Sequence, residues 1–198
     1  DEKMYDQKME NSRETKRELI GKILVHLEER STETKAHRRR MKNVAAGFAD
    51  YLRLKKNEKT KLLDLAEMHD IGKISIPEDI LMKKDSLTNE EWEIVKKHPE
   101  ISYKIAAASK EFAFIAKELL HHHECWNGRG YPDGIERENI PYLSRLIALI
   151  DAYDVMVNKN LYNKKMSQKE ARREIKAEAG SQFDPDLADK FIEFLENS

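Results

Sequence analysis

The chain carries seven histidines, and their placement beside carboxylates is the first sign of chemistry. Two patterns stand out: the dipeptide His69-Asp70 at a helix end, and the run His121-His122-His123-Glu124 just ahead of a glycine-rich loop. Imidazole and carboxylate are natural ligands for a borderline divalent metal. With no cysteine cluster the site would be of N/O type, suiting Fe, Mn, Ni or Zn. Adjacent histidines also occur as solvated polar groups at helix ends, and a lone pair would favour that reading. Four further residues shift the balance. Glu33 and His37 are four apart on a helical stretch, so they share a face. His98 sits at the Lys97-His98-Pro99 break between two helices, and Asp151 adjoins the apolar run Leu146 to Ile150, where an unpaired carboxylate would be costly. His37, His69, Asp70, His98, His122, His123 and Asp151 together outnumber the ligands of one tetrahedral ion. A two-metal or three-metal site is the economical reading.

Helices must bring these residues together. From Ser12 to about Arg30 the residues Leu19, Ile20, Ile23, Leu24 and Leu27 recur at three and four, the stripe of an amphipathic helix. A second helix is expected from about Glu33 to Leu54, and a third from Lys59 to about His69, stopping near Gly72. Ser75 to Pro77 reads as an extended turn. Thr88 with Glu91 forms a capping-box pattern, starting a helix that passes through Trp92 and Val95 before Pro99 restarts it. Glu100 to Ala108, Phe112 to His122, Tyr142 to Val157, Ser167 to Glu178 and Pro185 to Glu196 complete the set. About nine helices and no convincing strand make the class all-α.

A length of 198 residues allows one sizeable domain plus an appendage. Lys+Arg 36 against Asp+Glu 37 leaves a net charge of -1, so no global basic field would draw in a nucleic-acid polymer. A single cysteine excludes a disulfide framework and points to a reducing compartment. No stretch approaches the roughly 20 apolar residues of a membrane span, and the first thirty residues are charged throughout, unlike a signal peptide. A cytoplasmic location is the expectation.

His69-Asp70-Ile71-Gly72-Lys73, Lys97-His98-Pro99, His122-His123-Glu124, Gly128-Arg129-Gly130-Tyr131-Pro132 and Asp151, in this order, resemble the HD-GYP family, a branch of the HD-domain phosphohydrolases. The resemblance runs from about Thr32 to Leu195. It implies an HD-domain helical bundle over 32–198 and a cytoplasmic bacterial phosphodiesterase that opens cyclic di-GMP with two or three divalent ions, commonly iron or manganese. Carried onto this sequence, the metal ligands are Glu33, His37, His69, Asp70, His98, His122, His123 and Asp151, and Lys73 contacts phosphate. Asp1-Glu2-Lys3-Met4-Tyr5 followed by Lys8 resembles the closing helix of a GGDEF domain. That implies a linker helix over 1–31 and a GGDEF partner in cis or in trans. The plainer alternative is a helical lead-in that packs on the domain or on a second copy, and its stripe would suit a parallel homodimer.

Within this reading Asp70 is the carboxylate able to bridge two ions, since a monodentate imidazole cannot. Lys73, one turn on, can reach phosphate as a point charge. Glu124 is expected to orient a histidine, Asp154 to orient or to ligate, and His121 to be an exposed third imidazole. Arg38, Arg39 and Arg40 read as a solvated face with Arg40 the exception, Cys125 as a bystander, and Trp92 and Trp126 as packing residues. The glycine loop is expected to shape the site rather than to catalyse.

The sequence departs from the family where Asp-Arg-Pro-Tyr followed by a basic residue is usual. Here Asn160 and Asn163 occupy the basic positions, and Asn127 stands where Asp often precedes the glycines. A neutral amide does not replace a bidentate arginine. The metal set is thus complete while the substrate grip is altered, which keeps open a weakly catalytic sensor or interaction module, or a phosphodiesterase for another cyclic dinucleotide.

Overall fold

The computed structural model describes residues 18–30, 35–158 and 165–197. Helix α1 covers 18–30. It is followed by α2 (Lys35–Tyr51), α3 (Lys56–Met68), a 3-10 turn (Ile71–Ser75), α4 (Glu78–Leu81), α5 (Asn89–Val95) and α6 (His98–Ala107). After a second 3-10 turn (Ala113–Ile115) come α7 (Ala116–Leu120), a third (Arg137–Asn139), α8 (Tyr142–Asn158), α9 (Gln168–Ala177) and α10 (Pro185–Glu196). Among the described residues there is no strand, only an isolated bridge between Ala179 and Phe183. The expected all-α class holds.

The apolar run of α8 buries Leu143, Leu146, Ile147, Leu149, Ile150 and Tyr153, which makes it the spine on which α2, α3, α9 and α10 pack. Phe48 of α2 meets Phe191 of α10 edge-on, 4.8 Å between centroids. Each such fully buried side chain stabilises the fold by about 1.5–3 kcal/mol. Ile20, Leu24 and Leu27 of α1 are buried, Ile20 and Leu24 in the same core, while Leu19 and Val25 face outward.

The caps lie where the residue types put them. Thr88 accepts from the Glu91 amide while Glu91 reaches back, and Ser167 and Glu170 repeat the arrangement at α9. Pro185–Glu196 is the helix expected, with Asp184 as its N-cap. Two differences matter. The short helix α4 was not foreseen. The segment Phe112 to His122 is not one helix: a 3-10 turn precedes α7, which stops at Leu120. The stop has a local cause. His121 Nδ1 lies 2.9 Å from the Lys117 carbonyl and His122 Nδ1 2.7 Å from that of Leu119, so imidazoles take up helix-end carbonyls.

Candidate metal centre

Leu62, Leu65, Ala66 and Met68 hold α3 in the core, so the residues just past its end, His69 and Asp70, are carried inward and buried. Gly72 then lets α6 come close. A Cβ there would lie 2.0 Å from the His98 carbonyl oxygen, and the Gly72 amide donates to Ser102 Oγ at 2.9 Å. Ser102 Oγ in turn donates to the His69 carbonyl at 3.0 Å. One serine thus locks the His-Asp turn to α6, whose first residue is His98.

Three imidazoles share one orientation. Nδ1 of His69, His98 and His122 lies 3.2, 2.8 and 2.7 Å from the carbonyls of Ala66, Val95 and Leu119, each three residues earlier. A carbonyl only accepts, so Nδ1 must carry the proton and the lone pair sits on Nε2. His37 follows the same logic through Asp154, whose Oδ2 is 2.7 Å from its Nδ1. Arg40 holds that carboxylate at 2.6 and 2.7 Å. The Asp154 carboxyl is raised by burial, but hydrogen bonds from His37 and Arg40 outweigh this and keep it below its usual range.

The Nε2 atoms converge. His69 Nε2 is 3.1 Å and Lys73 Nζ 2.7 Å from Asp70 Oδ2, while His98 Nε2 is 3.2 Å from Asp70 Oδ1. Asp151 Oδ1 lies 3.6 Å from His37 Nε2 and 3.9 Å from His69 Nε2. The donors fall into two groups, Asp70-His98-His122-His123 and His37-His69-Asp70, whose ligand atoms lie within 4.8 Å of one another in each group. Asp70 belongs to both. Burial works to raise its carboxyl, but the Lys73 ammonium beside it holds it well below the usual range. Burial and neighbouring imidazoles push His122 and His123 well below the ordinary histidine value, which keeps them neutral.

This donor set fits divalent cations. The Nε2 atoms of His98 and His122 are only 3.4 Å apart. With both Nδ1 protons already placed, that contact sets lone pair against lone pair, an arrangement a cation between them resolves. Neutral imidazoles with carboxylates are the N/O ligand type of Fe, Mn and Zn.

Beyond the histidine run the glycine loop folds back. Glu124 Oε1 accepts the amides of Asp133 and Gly134 at 2.8 and 3.1 Å, and Asp133 Oδ2 lies 2.9 Å from His121 Nε2. Tyr131 stacks on His123 with centroids 5.0 Å apart, making the outer wall of the site. The amides of Trp126 and Asn127 donate to the carbonyls of Gln182 and Ser181, both at 3.0 Å, which stitches the loop to the α9–α10 turn.

Comparison with known proteins follows the same lines. The family model described as "HD domain" matches residues 22–187. The chain belongs to the HD-domain family. Relatives of this HD domain include the 3′3′-cGAMP-specific phosphodiesterase 2 of Vibrio cholerae, 34% identical over 187 residues, covering 93% of this chain and 36% of the relative. The cyclic di-GMP phosphodiesterase response regulator RpfG of Xanthomonas campestris is 34% identical, covering 93% of this chain and 49% of the relative. A cyclic di-GMP phosphodiesterase of Thermotoga maritima is 35% identical, covering 83% and 45%. The chain therefore spans half or less of these relatives' length. Among solved structures, the HDG"Y"P protein Bd1817 from Bdellovibrio bacteriovorus superposes with a TM-score of 0.63 at 19% identity, over 81% of this chain and 51% of that one. The cyclic GMP-AMP specific phosphodiesterase V-cGAP3 of V. cholerae gives 0.60 at 22%, over 81% and 44%. At these identities the likeness shows the fold.

Of the residues expected at the HD-domain centre, the structure brings together His37, His69, Asp70, His98, His122, His123 and Asp151, with Lys73 against Asp70. Glu33, Asn160, Asn163 and the GGDEF-like stretch Asp1 to Lys8 lie outside the described residues. Some secondary expectations need correction. Glu124 holds the glycine loop by accepting two of its amides, those of Asp133 and Gly134, rather than orienting a histidine through them. His121 is buried, because the Lys117 carbonyl and Asp133 occupy its two nitrogens. Trp92 is 46% exposed, at the edge of Tyr131, whereas Trp126 packs under Arg145. Arg40 is the exception expected, paired with Asp154, but Arg38 is engaged as well, with Glu28. Sequence left the role of Asp154 open; its position one turn after Asp151 was the signal available.

Proposed function

We propose that this HD domain is the catalytic part of a metal-dependent phosphodiesterase of the HD-GYP type that opens a cyclic dinucleotide, cyclic di-GMP first. The observation that carries this reading is the pair of ligand groups sharing Asp70, with a lysine ammonium beside them. The relatives' names supply the substrate class.

His37, His69 and Asp70 would hold one ion and Asp70, His98, His122 and His123 a second, with Asp151 and Glu33 completing the set; iron or manganese is the proposed metal. Bound ions would provide an activated water near neutral pH and a clamp on a non-bridging phosphate oxygen. The chain's own contribution is orientation and charge. Backbone carbonyls fix the imidazole tautomers, Asp154 and Arg40 aim His37, and Tyr131 covers His123. Lys73 offers its ammonium to a phosphate at the rim of the carboxylate it now touches. Among the described residues no helix is long and apolar enough to cross a membrane; we place the domain in the cytoplasm on its dinucleotide chemistry. A GGDEF domain in cis or in trans, and a homodimer through α1, complete the proposal.

The test is to purify the protein without added metal, measure Fe, Mn, Zn and Ni per protomer, and assay cyclic di-GMP hydrolysis on the same sample. Two or more ions with turnover that Asp70→Ala abolishes support the reading. A loaded centre that leaves cyclic di-GMP intact but opens 3′3′-cGAMP moves the substrate. One that opens neither favours the binding module that Asn160 and Asn163 suggest.

A further inference from the structure

A cavity of about 370 Å³ opens directly off the metal centre, sharing His122, His123 and Asp151 with it. Its apolar wall contains Ala152 and Met156 of α8, Met166, and Phe183. Met166 is tied in place because its amide donates to the Met156 carbonyl at 2.9 Å. Thioethers of this kind make adaptable contacts with flat aromatic faces. The lining also presents Glu174, Glu178 and Gln182, and no cationic side chain lines this cavity among the described residues. A cavity beside this centre that joins apolar side chains to carboxylates suits a base rather than a second phosphate.

We propose that this cavity is a guanine subsite in which Glu178, supported by Glu174 and Gln182, reads the N1–H and N2–H₂ edge; this rests on the cyclic-dinucleotide reading above. The chemistry selects the base. An ionised carboxylate only accepts hydrogen bonds, through two oxygens. Guanine presents two adjacent donors on that edge, N1–H and the exocyclic amine. Adenine presents one donor and, at N1, a lone pair that a carboxylate repels. A site built around a base's donors leaves its own groups unpaired with the wrong base, the kind of mismatch that discriminates strongly.

Position supports the assignment. Glu174 and Glu178 are four apart at the end of α9, so they share a face. Glu178 lines the same cavity as His122, His123 and Asp151. Hydrogen bonds donated by the Trp126 and Asn127 amides to the carbonyls of Gln182 and Ser181 tie the turn after α9 to the segment that follows the histidine run.

GMP and AMP serve as probes that need no turnover. Their dissociation constants are measured by calorimetry on metal-loaded wild type, Glu178→Gln and Glu178→Ala, beside kcat/KM for cyclic di-GMP and cyclic di-AMP. Wild type should hold GMP at least about tenfold more tightly than AMP, and Glu178→Gln should bring the ratio to within about threefold of unity. Glu178 is only partly buried, and among the described residues no side-chain hydrogen bond holds it, so the variants should keep the fold and metal content of wild type. Equal binding of GMP and AMP by wild type, or an unchanged ratio in both variants, overturns the subsite. Guanine-selective binding that depends on Glu178 but without hydrolysis leaves the subsite standing and removes the phosphodiesterase reading. Hydrolysis with an unchanged ratio does the reverse.

Discussion

The Nε2 atoms of His98 and His122 face each other at 3.4 Å while their Nδ1 atoms lie against the carbonyls of Val95 and Leu119. Two imidazoles so held turn their Nε2 lone pairs toward each other, an arrangement that something positive between them relieves. Stripping metal with a chelator should therefore lower Tm, and restoring Mn or Fe should raise it again. At a cation concentration a hundred times Kd the gain is about 2.7 kcal/mol for one site. A Tm indifferent to chelation and reloading in calorimetric scans would contradict the centre.

Asp154 is the hinge of a relay from Arg40 to His37. Asp154→Asn removes the charge that orients the ring and should weaken metal affinity by about 10–100-fold, read by competition with a chromogenic chelator. His37→Ala should cost at least as much. If Asp154→Asn holds its metal as tightly as wild type, the relay does not aim the ligand.

Lys73 should matter for turnover but not for loading. Lys73→Met removes the ammonium proposed to meet phosphate, with an expected fall in kcat of about 100-fold, while metal content per protomer stays at the wild-type level. Loss of metal along with activity would instead make Lys73 a structural partner of Asp70.

Two glycines offer substitutions of opposite sign. Gly72→Ala would drive a Cβ to 2.0 Å from the His98 carbonyl and 2.7 Å from the Ser102 amide. It should cost roughly 3 kcal/mol and metal content with it. Gly21 of α1 has nothing within 4 Å of an added Cβ, so Gly21→Ala should stabilise by about 0.5–1 kcal/mol. Denaturant melts of both variants check the pair.

Much of this was legible because the signals are local. Thr88 and Glu91 cap α5 from three residues apart, and Pro185 opens α10 behind Asp184. His69-Asp70, His98 and the histidine run are visible as residue types at element ends. What stayed hidden depends on partners far along the chain. Asp154 reaches His37 across 117 residues, and Ser102 reaches Gly72 across 30. The role of Glu124 could not be read either, because its partners are the amides of Asp133 and Gly134, and a backbone amide has no letter of its own. The split of Phe112 to His122 has the same origin: periodicity continues through His121, but imidazoles claim the carbonyls that would have continued the ladder.

The anchoring of His69, His98 and His122 by main-chain carbonyls makes the centre unevenly adjustable. No side-chain substitution can delete a peptide oxygen, so the orientation of those three rings is shielded from point mutation. His37 alone among the four leans on a replaceable neighbour. Evolutionary tuning of metal preference, or laboratory selection for it, would then be channelled through the His37 arm, with Asp154 and Arg40 as its adjusting screws.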